Sequence, residues 1–183
     1  MGASRSSGAN LLGFLSDVNA RGTAQALGAL NLQALAGLPI QDVFLGIVDY
    51  VCPDGGSLDQ AIAREAFIEM IVDLATLGVP NLDAMTADQL RTVFEMFATN
   101  AIEARLYNDI GLNLIQIPQN VATANIIQDQ IHAFIQRGVA DAVAGISLGN
   151  QALTPAQSLS VVNSVYQTAF DLLKSLGDEE ANP

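Results

Sequence analysis

The stretch Ser57-Leu58-Asp59-Gln60-Ala61-Ile62-Ala63-Arg64-Glu65-Ala66-Phe67-Ile68-Glu69-Met70-Ile71-Val72-Asp73-Leu74-Ala75-Thr76-Leu77 decides the fold class. Ile62, Ala66, Phe67, Met70, Ile71, Leu74 and Leu77 recur at spacings of three and four, while Arg64, Glu65, Glu69 and Asp73 take the other side. That period aligns side chains along one face of an α-helix. Ser57 followed three residues later by Gln60 is a capping box, in which each side chain answers a backbone N–H that the first turn leaves unpaired. Gly78 supplies the left-handed stop.

The same grammar recurs on both sides of this helix. Thr86 and Gln89 open a helix that carries Leu90, Val93, Phe94, Phe97 and Ala101 and runs to about Asp109. A further helix follows Pro118, with Val121, Ala124, Ile127, Ile131, Phe134, Ile135, Ala142 and Val143 as its buried stripe. Thr154-Pro155-Ala156-Gln157 opens the last helix, which presents Leu159, Val162, Val165, Tyr166, Ala169, Leu173 and Leu176. Upstream, Pro39 starts a short apolar helix through Ile40, Val43, Phe44, Ile47, Val48 and Val51, and residues 10–36 read as two short helices interrupted by glycines. Leu112, Leu114, Ile115 and Ile117 could form one extended stretch; no segment shows the strict alternation of a half-buried strand. The expected fold is therefore all-α, a single-domain multi-helix bundle or array spanning 10–177, with a flexible tail at 1–9 and an acidic tail at 178–183. Phe67, Phe94, Phe97 and Phe134 are the expected aromatic core.

Composition narrows the function classes. The 183 residues are 50% hydrophobic, enough for one sizeable core, and Lys+Arg 7 against Asp+Glu 19 gives a formal charge of -12. Such a surface lacks the positive footprint that nucleic acids and anionic membranes require. One cysteine cannot close an internal disulfide, and one histidine with it cannot complete a structural zinc site; the composition fits a reducing, cytoplasmic setting.

The side chains that could carry chemistry stand apart from one another. His132 lies on the apolar-striped helix between Ile131 and Ala133, and reads as a surface or partly buried imidazole. With Asp129 it forms the i, i+3 half of a di-iron motif, but no second histidine completes one, so no metal and no cofactor is expected. Cys52 has no paired histidine or resolving thiol and reads as a small buried hydrophobe. Asp54-Gly55-Gly56 lacks the spacing of a phosphate loop and reads as a turn before the Ser57 cap. Arg91 and Glu95, Arg105 and Asp109, and Arg137 and Asp141 stand one helical turn apart as solvated pairs. Residues 102–111 interleave polar and apolar side chains too densely for one stripe, as on a helix contacted from more than one side. Arg64, Arg105, Tyr107, Asn108 and Asp109 are accordingly the candidate partner-binding residues, because arginine beside apolar positions anchors interfaces well.

Several segments carry a family likeness: Gly13-Phe14-Leu15-Ser16-Asp17-Val18, Leu35-Ala36-Gly37-Leu38-Pro39 with Asp42-Val43-Phe44-Leu45, Cys52 through Phe67, and Ile102-Glu103-Ala104-Arg105 with Asn108-Asp109-Ile110-Gly111. In that order they resemble the C-terminal domain of QatB, from the Qat anti-phage defence system. The resemblance implies a non-enzymatic subunit working beside an ATPase, a TatD-like nuclease and a QueC-like nucleobase-processing enzyme, the last being its expected direct partner. Members of that family carry a longer low-complexity N-terminal region than this chain shows. The resemblance also implies a protein substrate: a QueC-like enzyme activates a carboxylate for attack by an amine, and Gly2, freed by methionine removal, is the candidate acceptor. Met1-Gly2-Ala3-Ser4-Arg5-Ser6 also fits the loose N-myristoylation pattern, though a plain small-residue tail accounts for it as well. Two other classes compete with a defence adaptor: a generic helical interaction or oligomerisation domain, and a carboxylate-based enzyme or metal protein.

Overall fold

A computed structural model describes residues 2–109, 121–144, 148 and 151–180, with side chains described for 2–108, 129–144, 148 and 151–168. Among the described residues all regular structure is helical. The α-helices are α1 (Gly2–Arg21), α2 (Thr23–Ala29), α3 (Ile40–Gly46), α4 (Val48–Val51), α5 (Leu58–Asp73), α6 (Ala87–Asp109), α7 (Val121–Val143) and α8 (Pro155–Glu180). Single 3-10 turns cover Gln33–Leu35, Leu74–Leu77 and Leu82–Ala84. The expected all-α architecture is thus the observed one. The extended stretch expected at 112–117 lies outside the described residues.

Local chemistry fixes three helix starts in the same way. Ser57, Thr86 and Thr154 each accept a hydrogen bond from the backbone N–H three residues on, at 3.2, 3.2 and 3.3 Å, from Gln60, Gln89 and Gln157. Each glutamine returns the favour by accepting the N–H of its cap residue, at 3.0, 2.9 and 2.9 Å. Two orphan donors per helix are satisfied without any tertiary contact. Ser57→Ala should therefore lower stability by about 1 kcal/mol, read as a reduced urea midpoint at unchanged slope. At the far end α5 tightens into the 3-10 turn and stops at Gly78, whose φ of 62° is left-handed.

The core lies where α1, α3, α5, α6 and α8 meet. Phe14, Phe44, Phe67 and Phe97 form an edge-to-face series, with ring centroids 6.4, 6.2 and 6.3 Å apart in that order. Phe67, Phe94 and Phe97 are fully buried as the spacing predicts. Phe134 is only half-buried; Ile135, Val139 and Val143 are what α7 buries, one step around the helix. Leu159 on α8 is likewise exposed, and Val162, Val165 and Tyr166 take the inner face. Short apolar residues 40–51 fold as two pieces, α3 and α4, joined at the buried Ile47.

The termini differ from expectation. Residues 2–9 are the first turns of α1, not a free tail, with Ser4, Ser7 and Gly8 buried. Their small size has a packing reason: a Cβ on Gly8 would stand 3.2 Å from a Val162 methyl and 3.4 Å from the Phe97 ring. Small residues there let α1 lie close against α8 and α6, and polar contacts tie α1 to α5, to α8 and to the segment before α8. The Ala3 N–H donates to Asp59 Oδ2 at 2.8 Å, Arg5 Nη1 to Asn163 Oδ1 at 3.3 Å, and the Leu153 N–H to Ser16 Oγ at 2.8 Å. Gly13 does not interrupt α1, whereas Gly22, at φ 87°, separates α1 from α2. At the other end α8 continues through 178–180, so the acidic residues begin as helix; 181–183 lie outside the described residues.

Candidate partner-binding site

The proposed interface residues sit on two antiparallel helices, α5 and α6, but they face different neighbours. Arg64 Nη1 donates to the Cys52 carbonyl at 3.1 Å and pairs with Asp49 Oδ1 at 2.9 Å. It therefore staples the C-terminal end of α4 to α5, a position where a cation meets unpaired carbonyls and the negative end of the helix dipole. Arg64 also borders a cleft of about 320 Å3 together with Pro53, Leu58 and Ala61.

Residues 103–108 of α6 are all half-buried, because this part of the helix packs between α5 and α7. The dense interleaving of residue types in the sequence reflects those intramolecular neighbours. Arg105 stands near Asp59: burial works to raise that carboxyl, but the Ala3 N–H and the Arg105 guanidinium are among the groups that hold it below the usual range. Tyr107, two residues on, points elsewhere, as i, i+2 positions on a helix must. Its hydroxyl is hydrogen-bonded to the Glu103 carboxylate, and burial together with Glu103 and Asp129 pushes it up to about 12. Asn108 is half-buried, and the side chain of Asp109 lies outside the described residues. Arg64, Arg105 and Tyr107 thus do not converge on one point.

The residue that does gather partners is Glu103. Besides Tyr107 it meets His132 of α7, with Oε2 2.6 Å from Nδ1. The histidine singled out in the sequence is a surface imidazole paired to a carboxylate 29 residues away in the chain. Glu103 also lines a groove of about 330 Å3 with Glu65, Glu69, Asn100 and Tyr107. Carboxylates crowd here: burial, followed by Glu65, Glu103 and Asp73, raises the carboxyl of Glu69. A carboxyl whose folded value is raised contributes stability while protonated and loses it as pH rises through that value. Glu69→Gln should therefore raise the thermal midpoint at neutral pH, and the gain should vanish below the ordinary carboxylate range. A gain of equal size at both pH values would count against crowding as its cause.

Cys52 is buried, its thiol 3.5 Å from the Ala63 carbonyl, and burial pushes it up despite Ser7 and Arg64. A protonated, inaccessible thiol is a packing group. Among the described residues no group of three or more His, Cys, Asp and Glu side chains is arranged to hold a metal ion, and no helix is long and apolar enough to cross a membrane. Gly2 opens α1 with its backbone exposed, and a Cβ there would meet nothing within 4 Å.

Residues 1–173 match the family described as Qat anti-phage system associated protein QatB. The chain belongs to the QatB family. Membership makes it a component of the Qat anti-phage system and points to other Qat components as its partners. No curated protein and no solved structure matches it.

Proposed function

We propose that this chain is a non-enzymatic adaptor of the Qat system and a protein substrate of a QueC-like partner, acting in the cytoplasm. The observation that carries this reading is the QatB match across residues 1–173. Adaptor work asks for a rigid helical body with exposed side chains on it, and α5 offers Leu58, Ile68 and Val72 at its surface. The substrate role falls to Gly2. Its amine, once methionine is removed, would attack a carboxylate activated on the partner and form an amide, with the activating group leaving and the amine losing a proton. The first turn of α1 must then come away from Asp59, because the Ala3 N–H is bonded there.

Co-expression with the QueC-like protein tests both halves. Expected are a stable complex and a mass gain confined to the peptide bearing Gly2. Complex formation with an active enzyme and an unmodified Gly2 removes the substrate role; absence of a complex removes the adaptor role. The pure chain is expected to show no hydrolase, nuclease or nucleotidyl-transfer turnover. His132 beside Glu103 is the arrangement that would favour an enzyme instead, since a carboxylate can orient an imidazole base. Turnover that disappears in His132→Ala would establish that second reading.

A further inference from the structure

The inner face of α5 buries Ile62, Ala63, Ala66, Phe67, Met70 and Ile71. The opposite face, which should be polar on a helix at a protein surface, carries a second apolar row. Leu58, Ala61, Glu65, Ile68 and Val72 follow one another at steps of three, four, three and four, and all are exposed. Leu58, Ile68 and Val72 show 59%, 40% and 70% of their surfaces. That spacing is the one by which a helix presents a seam to another helix. Single exposed apolar residues are ordinary, but here Leu58 and Ala61 towards one end and Ile68 and Val72 towards the other share one helix face, with Glu65 between them.

Charge says what covers the strip. Glu65 lies within it and also lines the groove shared with Glu69 and Glu103, so carboxylates edge that side of the row, while Arg64, which borders Leu58 and Ala61 on the other side, is already paired with Asp49. A second copy of this chain, docking the same face by two-fold symmetry, would set these carboxylates against their own images in a protein of formal charge -12. Like charges facing across a closing interface oppose it. A segment bearing lysine or arginine beside its apolar side chains would instead neutralise them.

We propose that the outer face of α5, Leu58–Ala61–Glu65–Ile68–Val72 with the Glu69 and Glu103 carboxylates at its edge, docks a basic amphipathic helix of another Qat component. The strip supplies the buried contact and the carboxylates supply orientation and steering. This inference deepens the adaptor reading and rests on it for the class of partner.

The test uses the full chain against each of the other purified Qat proteins, with affinity measured at low and high salt. Ile68→Ser combined with Val72→Ser removes the apolar row at unchanged charge and similar helix propensity. Both side chains are exposed, so the thermal midpoint should hold while binding weakens by about tenfold or more. Glu65→Gln combined with Glu69→Gln should weaken binding chiefly at low salt and flatten its salt dependence. If the serine variant binds as tightly as the parent chain, the docking face is wrong while the adaptor role stands. If the parent chain binds no Qat protein, both fall. Self-association of the parent chain that the serine pair abolishes would assign the strip to a second copy and overturn the proposal.

Discussion

Phe67→Ala is expected to destabilise the fold by about 3–5 kcal/mol, as for large aromatic truncations in closed cores. Phe67 has no exposed surface, and its ring meets Phe44 on one side and Phe97 on the other, with interplanar angles of 62° and 69°. Alanine would open a void in the middle of the series that links α1, α3, α5 and α6. Neighbours can relax into the gap only by breaking their own edge-to-face contacts. For a domain of ordinary marginal stability of about 5–15 kcal/mol, the loss is a large share. It corresponds to a fall in thermal midpoint of about 6–20 °C. Urea titration by circular dichroism measures it, with Phe67→Leu as the comparison that keeps most of the volume and should lose much less. An unchanged midpoint for the alanine variant would show that the aromatic series is not the centre of the core.

What could be read in advance tracks how local the cause is. The Ser57, Thr86 and Thr154 starts were legible because cap and glutamine lie three residues apart and need no tertiary partner. The buried stripes of α5 and α6 were legible because large apolar side chains at helical spacing have one economical place to go. Phe134 and Leu159 show the limit, since a wide apolar stripe exceeds what the neighbouring helix covers and only the docking angle decides which edge stays wet. Arg64, Arg105 and Tyr107 were recognisable as unusual. Their engagements with Asp49, Asp59 and Glu103 were not, because two of the three cross between elements. The pairing of Glu103 with Tyr107 has one signal in the sequence, their i, i+4 spacing on a single helix. The outer row of α5 was equally available at spacings of three and four, but the stronger inner stripe masked it.

The first turns of α1 are where sequence and structure part most, and substitution at Gly8 reads that difference directly. Small polar residues in Gly2–Gly8 resemble a linker in composition, and burial of a serine or glycine leaves no periodic apolar mark. Were these residues a mobile tail, Gly8→Ala and Gly8→Leu would be neutral. In an open helix both would stabilise, since glycine costs a helix about 0.5–1 kcal/mol relative to alanine. Packed as it is, the Gly8 site admits a Cβ only at 3.2 Å from a Val162 methyl, tighter than ordinary van der Waals contact. Alanine should come out near zero, its helix gain offset by crowding. Leucine adds three more carbons between α1, Val162 and Phe97, and should cost about 1–3 kcal/mol by forcing the helices apart. The loss should appear as a lowered urea midpoint together with faster amide exchange in residues 3–8, whose docking α8 then no longer supports. Two midpoints equal to that of the parent chain would return Gly2–Gly8 to the status of a tail and free Gly2 from any need to unwind before reaching a partner's active site.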